Sequence, residues 1–521
     1  MSATQTTRRT TLKWMGAGMT AAAVTAVGLW ATTRARSFDA LPPAPGKTPV
    51  GDAGWLTHLA TSLPTEHAYE AEVEGTIPAG LRGSLYRNGP GLFDRGGSRK
   101  QSLLDGDGMI RHFKIGDGKA AFQNRFVQTP KFQAEEKAGR FMFPTWTTLQ
   151  PKWTDSLTGI PSMSQAGVTA IVKDGRLFAF DEVGHPWELD SDSLETLGEF
   201  APADDNVSPA FKAHTKTDSR TGDWVLVSTS NGRVSKVQVV VRDRNNQLKS
   251  WQEHTLPRAS YFHDFFATEH YVILHLQPMM TPPWAMLAGI KSYTDSFKWQ
   301  PDQGTILMVI DKSGTNAPVF IDAPGVFMWH TLNAWEHGNT IIADFVGYDD
   351  PNHFIGKQAM LRQIMQGRLG DAGAPGTMRR YTINLDNQSA SEEIMLDGNF
   401  EFPIVNPAMS GQENDFGYVT IGSAERALFS SGIGRLHTKT NALEAFDFGA
   451  DTYAGEPIFA PNPNDSMNEA SGWILSETLD GTTGKSGLAI FDAAHIPDGP
   501  VATIKLSHHL PMSFHGWWNA T

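Results

Sequence analysis

The sequence contains no cysteine. Disulfides, thiolate nucleophiles, iron–sulfur clusters and cysteine zinc sites are therefore excluded together. Any metal must be held by histidine, carboxylate or carbonyl groups. The chain is also indifferent to an oxidising compartment. Basic residues are in short supply: 43 Lys and Arg against 56 Asp and Glu give a formal net charge of −13. Nucleic-acid binding needs basic surface to neutralise phosphates, so no nucleic-acid partner is expected. No G-x-S-x-G elbow occurs, which sets aside a Ser-His-Asp hydrolase of that type. No repeat of WD or kelch type is legible.

What is abundant is glycine (50), proline (31) and tryptophan (15) in 521 residues. That mix fits many short strands joined by tight turns better than a helical protein. The length allows two or more domains, although large all-β folds also run long as one. The N-terminus reads Thr6-Thr7-Arg8-Arg9-Thr10-Thr11-Leu12-Lys13, followed by an uncharged stretch at 14–31. Paired arginines ahead of such a stretch fit a twin-arginine export signal. Gly16, Gly18, Thr20 and Thr25 make it too weakly apolar for a strong membrane span. Residues 1–36 are read as this signal, which implies a periplasmic location, and 37–521 as one domain. An uncleaved N-terminal anchor is the alternative. Twin-arginine export carries folded proteins, often with a metal already in place, which hints at a metal.

After a Pro/Gly linker at 41–50, strands and turns alternate. GSLYRNGPGLF (83–93) reads as a strand that breaks at Asn-Gly-Pro-Gly. LDGDGMIRHFKI (104–115) reads as a turn feeding a strand, and RFVQTPKF (125–132) as a short strand ending at Pro130. Strands 224–230 and 236–243 form a hairpin around Asn231-Gly232. Further strands fall at 175–182, 271–277, 305–311, 340–348, 380–385, 472–478 and 488–492. This rhythm favours a propeller or a large sandwich. Two stretches break it. Residues 353–369 read as helical. Residues 279–300, rich in Met, Trp and Pro, are either a packed loop or an apolar lip that meets a lipid-like substrate or a membrane surface.

The stretch MWHTLNAWEHGNTIIADF (328–345) places His330 just ahead of an alternating, strand-like run. A lone histidine in such a place is ordinarily structural. Three more stand in similar settings: His214 in KAHTKTD, His263 in YFHDFF and His515 in SFHGWW. Their separations put them on different elements, and a propeller is a fold that brings strand ends to one axis. Glu182 (FDEVG), Glu401 (FEFP) and Glu456 (GEPIF) are candidate partners, because a metal-bound histidine usually donates its second ring N–H to a carboxylate or carbonyl. Neutral imidazoles suit Fe, Cu, Ni or Zn. Spacing alone selects neither the metal nor four histidines out of 17.

The ordered set GSLYRNGPG, DGDGM, KAHTKTD, FHDF, WHTLNAWE, EFP, GEPIF and terminal FHG resembles the carotenoid cleavage oxygenases, a family that includes apocarotenoid, carotenoid and stilbene dioxygenases. The resemblance runs from Val73 to the C-terminus. It implies an all-β fold: a seven-bladed β-propeller with a dome of loops and helices over the metal face, forming a tunnel. It places one ferrous iron per chain on His214, His263, His330 and His515. Glu182, Glu401 and Glu456 would support the last three histidines, and the first would have no such partner. The implied reaction is oxidative cleavage of a conjugated double bond in an apolar polyene by O2, giving two carbonyl products. Aromatic residues would line the tunnel; Phe262, Phe265, Trp329 and Trp517 flank the ligand positions. Val168 or Thr169 would be the small residue beside the open iron position.

Stilbene-cleaving relatives hold a phenol with a Lys, here Lys131, and a Tyr just before DGDG. This chain has Lys100-Gln101-Ser102-Leu103-Leu104 there and no Tyr, so Lys131 is read as a surface or structural residue. Stilbene cleavage remains an alternative, as does a non-catalytic periplasmic carotenoid carrier. Polyene isomerisation is a weaker one. His270, His275, His337 and the His508-His509 pair are read as structural or solvating.

Overall fold

The computed structural model describes residues 51–149, 164–203, 207–230, 234–281, 291–465 and 468–521. The signal segment, the linker at 41–50, the tip of the hairpin at 231–232 and residues 282–290 of the apolar stretch lie outside them.

The architecture is almost entirely antiparallel strand, arranged as a β-propeller. Five separate four-stranded sheets follow one another along the chain at 169–199, 216–255, 265–323, 327–396 and 400–447. The resemblance implied seven blades; five stand as separate sheets. Of the remaining strands, two short pairs, Asp94–Arg95 with Ser98–Arg99 and Met279–Met280 with Lys298–Trp299, stand apart, and ten form one sheet. The reason lies in strand Ala68–Gly75. Its first half, Ala68 to Ala71, pairs with Lys119–Phe126, and its second half, Glu72 to Gly75, pairs with Pro500–Lys505. One strand thus belongs to two fans and joins them. At one end of this sheet the last strand, Gly516–Ala520, pairs with Gly83–Leu92, so the first and last described strands belong to the same sheet.

Turn chemistry sets the hairpins. Asp117-Gly118 and Asp174-Gly175 both have positive φ at each position, the signature of two-residue turns whose twist matches the flanking strands. Burial then grades across each blade. All ten residues of Gly83–Leu92 are buried, whereas Leu248–Thr255 and Ser389–Leu396 are largely exposed. The apolar residues between consecutive sheets interlock as separate cores. Val227, Val239, Phe262, Phe265 and Leu274 fill one gap, and Ile273, Val309, Met328, Phe345 and Tyr381 the next.

Three expectations are corrected. Gly83–Leu92 does not break at Asn-Gly-Pro-Gly; it runs through, with a register shift only between Pro90 and Leu92. Pro130 does not end a strand. It opens helix Pro130–Ala138, with Thr129 capping the Phe132 N–H, because proline suits the first helical position, where the missing N–H has no partner to lose. The helical reading of 353–369 shrinks to a short helix, Met360–Gln363, continued by a 3₁₀ turn, Ile364–Gln366. These turns, with Gly54–Ala60 and Leu103–Asp105, pool their apolar side chains with Tyr261, Trp329 and Phe402 in one large cluster that caps one end of the propeller.

The glycines of DGDGM are explained by close approach. A Cβ on Gly108 would lie 2.3 Å from the Ala166 carbonyl oxygen. Gly108→Ala is therefore expected to cost about 1–3 kcal/mol of stability, measured by urea unfolding.

Five buried histidines, His58 among them, stand outside the candidate ligand set. His112, His353 and His509 are pushed down to about 4, and His275 to about 3, mainly by burial. The unfolded chain takes up these protons near the ordinary value of 6.5, whereas the folded chain does not. Stability should therefore fall as pH drops from 6.5 towards 4, each group adding a slope of up to about 1.4 kcal/mol per pH unit. His275→Gln should reduce that slope by roughly one group's share, read from urea unfolding at stepped pH.

Candidate metal centre

The four histidines arrive at one point from four elements. His214 ends the loop before Lys216–Thr217, and His263 stands just before Phe265–Ala267. His330 lies within Phe327–His337, where the pairing register shifts between Met328 and Thr331. Such a bulge re-aims a side chain that regular alternation would point elsewhere. His515 immediately precedes the last strand; its N–H donates to the Val168 carbonyl at 3.1 Å, and its carbonyl accepts the Asn88 N–H at 2.9 Å. One ring nitrogen from each of the four lies within 4.8 Å of the others.

Three of these rings are held from behind. Nδ1 of His263 donates to Glu182 at 2.6 Å, that of His330 to Glu401 at 2.5 Å and that of His515 to Glu456 at 2.7 Å. A carboxylate only accepts, so each pair leaves the proton on Nδ1 and the Nε2 lone pair facing inward. His214 has no glutamate partner; its Nε2 lies 3.0 Å from that of His263. Burial, reinforced by the neighbouring imidazoles, holds His214 and His515 well below the ordinary histidine value, and burial lowers His263 as well. These rings are neutral at physiological pH, as metal ligands must be.

The donor set fits a divalent transition metal. Nε2 of His330 is buried without a hydrogen-bond partner among the described residues. Two nitrogens each about 2.1 Å from one cation, at a right angle, lie about 3.0 Å apart, which matches the His214–His263 spacing. Four imidazoles with no carboxylate among them leave a cation its full charge, and they suit iron, copper, nickel or zinc.

The glutamates are themselves anchored. Burial alone would raise Glu182, but Lys212 and His263 outweigh it and hold the carboxyl below its usual range. Lys212 reaches it at 3.3 Å. Burial likewise opposes ionisation of Glu401, and His330, the Phe402 N–H and the Tyr348 hydroxyl overcome it. Glu456 accepts from the Arg87 guanidinium and from the Gly516 N–H, yet burial still raises it. Arg87 also donates to Ser513 Oγ and the Phe514 carbonyl, at 2.8 and 3.1 Å. Phe402 has a left-handed φ of 50° and stacks on His330 at 5.2 Å. A bulky residue held there marks backbone strain beside the site.

The two sides of the histidine cluster differ. Towards the cap stands an aromatic wall: Trp329 meets His263 edge-on at 5.0 Å and packs on Phe354, while Tyr261 stacks with Phe297. The other side opens into a cavity of about 450 Å³ that His214, His330 and His515 line together with Thr169, Lys216 and Asp264. Thr169, not Val168, lines it, with a buried hydroxyl that has no hydrogen-bond partner. Val168 is engaged through its backbone by His515.

The structure thus brings together His214, His263, His330 and His515 with Glu182, Glu401 and Glu456. Of the flanking aromatics, Trp329 reaches the site, Trp517 lines the cavity, and Phe262 and Phe265 are core between two sheets. Lys131 is fully buried between Asp107 and Glu135, at 2.5 and 2.9 Å, and so is structural. His275 meets the Tyr381 hydroxyl inside the core; His270 and His337 pair at the surface with Glu336 and Glu413. His508 and His509 bond Tyr69 and the Thr61 carbonyl respectively. Sequence reasoning missed Arg87, Lys212, Tyr348 and Asp264. Arg87 sat in the RNGPG stretch and Asp264 in FHDF, but nothing in their spacing tied them to a glutamate or a histidine.

A family model described as retinal pigment epithelial membrane protein matches residues 59–520. The chain is 29% identical to the apocarotenoid-15,15'-oxygenase of Synechocystis sp., over 92% of this chain and 98% of that one. It is 28% identical to an isoeugenol monooxygenase of Pseudomonas putida, covering 88% and 97%. A crystal structure of cobalt-substituted Synechocystis ACO is similar at a TM-score of 0.82 and 27% identity, covering 90% of this chain and 98% of that one.

Removing the cation behind Glu456 should be costly. Arg87→Met is expected to destabilise the protein by about 3–5 kcal/mol, because it leaves a buried carboxylate without its partner. Urea unfolding of parent and variant checks this.

Proposed function

The chain belongs to the carotenoid cleavage oxygenase family, the family of the retinal pigment epithelial membrane protein model, and from that premise we propose that it is a non-haem Fe(II) dioxygenase. It cleaves a conjugated double bond of an apocarotenoid or carotenoid. Both atoms of O2 enter the products: the C=C bond breaks and two C=O bonds form. The observation that carries this reading is the cluster of four imidazoles, three of them turned inward by glutamates, set against an aromatic wall.

His214, His263, His330 and His515 hold one ferrous iron per chain, which supplies the activation of dioxygen when bound. Glu182, Glu401 and Glu456 hold the ring protons on Nδ1 and set the ring angles. Trp329, Tyr261, Phe402 and the cap residues around them bind an apolar chain by contact area and exclude water. Which double bond is cut follows from how far the polyene slides along that wall.

Lys131 supports a polyene over a stilbene. The stilbene reading needs a free amine there, and Asp107 and Glu135 engage it from both sides. Phenolic substrates stay in the test because a relative named isoeugenol monooxygenase covers nearly the same span. We count the ten-stranded sheet as two fused blades, which brings the propeller to seven. We also propose export to the periplasm through the segment at 1–36, and contact of residues 279–300 with a membrane surface from which an apolar substrate is drawn.

Purified without oxygen and then exposed to O2 with an apocarotenal, the protein should contain one iron per chain and yield two carbonyl fragments by mass spectrometry. Oxygen uptake should match product, and His330→Ala should abolish both. Cleavage of stilbenes or isoeugenol alone would replace the polyene reading. Bound iron with neither uptake nor product on any of these substrates would leave a carotenoid carrier.

A further inference from the structure

Three residues placed just after ligand histidines meet one another. Asp264 follows His263, Thr331 follows His330, and Lys216 stands two residues after His214. Lys216 and Thr331 lie on strands of two different sheets, and Asp264 immediately precedes the first strand of a third. Asp264 accepts the Thr331 N–H at 3.0 Å, the Thr331 hydroxyl at 2.8 Å and the Lys216 ammonium at 2.9 Å. Lys216 also donates to the Thr331 hydroxyl at 2.8 Å. Asp264 is 1% exposed, so its carboxylate is largely withdrawn from solvent. The second carboxylate oxygen accepts the Phe265 N–H at 2.7 Å, which fixes the carboxylate at the head of the strand Phe265–Ala267.

We propose that Asp264, with Lys216 and Thr331, is a positioning clamp that sets the places of His214, His263 and His330 relative to one another; the proposal rests on the metal-centre reading. The glutamates hold ring nitrogens and so fix rotation. They do not fix how far apart the three backbones stand. Among the described residues, no ladder pairing joins the strands that carry Lys216 and Thr331 or the one that follows Asp264. The bulge that aims His330 frees the local register, and the Thr331 amide inside it is taken by Asp264. The carboxylate therefore locks the irregular stretch that carries His330 to the segment that carries His263. Lys216 brings in the His214 segment, the one ligand that lacks a glutamate. His515 is held separately, through Asn88 and the Glu456–Arg87 pair. Asp264 and Thr331 line the cavity whereas His263 does not, so the clamp grips from the side opposite the aromatic wall.

The test is Co(II) affinity of the metal-free full chain, by competition with a chromophoric chelator, together with the visible d–d spectrum of the bound ion. The variants are Asp264→Asn, Thr331→Val and Thr331→Ser, each also melted without metal. Asp264→Asn and Thr331→Val should weaken Co(II) binding about tenfold or more, the loss usual when a group that orients a ligand is removed, and should shift the d–d bands. Thr331→Ser should keep parental affinity and spectrum. Thr331→Val with affinity within about twofold of the parent and an unchanged spectrum overturns the clamp, whatever its melting temperature. Thr331→Val and Thr331→Ser decide the matter if Asp264→Asn fails to fold. A parent chain that binds no Co(II) overturns the metal-centre reading and the clamp with it. A parent that binds alongside an unaffected Thr331→Val overturns the clamp alone.

Discussion

A carboxylate behind an imidazole decides which ring nitrogen is left bare, and three such pairs govern much of the rest of this structure. Each glutamate has to be buried to stand behind its histidine, and a buried carboxylate needs compensation. Hence Lys212 at Glu182, Tyr348 and the Phe402 amide at Glu401, and Arg87 with the Gly516 amide at Glu456. Arg87 in turn needs acceptors, which Ser513 and the Phe514 carbonyl provide next to His515. The demand therefore travels outward from the histidine cluster into the strand Gly83–Leu92 and the chain terminus. That is why a stretch far from any ligand in sequence, RNGPG, belongs to the site in space.

The propeller makes convergence possible but does not complete it. Regular strands present side chains in strict alternation, and four ligands from separate elements will not all meet by alternation alone. The deviations fall where the chemistry requires them. The register slips at His330 and again after Glu401, where Phe402 takes a left-handed backbone. Strain of this kind persists only where surrounding contacts over-determine it. Here the stacking of Phe402 on His330 and its amide bond to Glu401 supply those contacts.

Much of the fold was legible because turn chemistry is local. Asn231-Gly232 between two β-branched runs announced a hairpin, and Trp224–Ser230 and Lys236–Arg242 do pair where that signal put them. Pro130 misled because the same residue ends a strand or begins a helix, and only the cap from Thr129 distinguishes the two. The number of separate blades was not legible, since the sharing of Ala68–Gly75 between two fans depends on strands hundreds of residues apart. The seven site residues were reached through an ordered set of short motifs; spacing alone left 17 histidines open. Lys131 shows the same limit from the other side. Its neighbours in sequence leave it a surface or structural residue, whereas Asp107 and Glu135 place it in the core.

The two faces of the cluster explain why the reacting centre is easier to read than the substrate. Candidate ligands and the glutamates behind them must be particular residue types at particular places, so they leave a trace in the sequence. An aromatic wall needs only apolar area. Trp329, Tyr261, Phe297 and Phe354 come from separate segments, and in sequence each is indistinguishable from core, as Phe262 and Phe265 indeed are. Selection among polyenes by such a wall rests on shape and length, and one methylene in an apolar pocket is worth only about 1–3 kcal/mol. Specificity of this kind is spread over many small contacts. Changing it therefore needs no change in the set of histidines and glutamates at the centre.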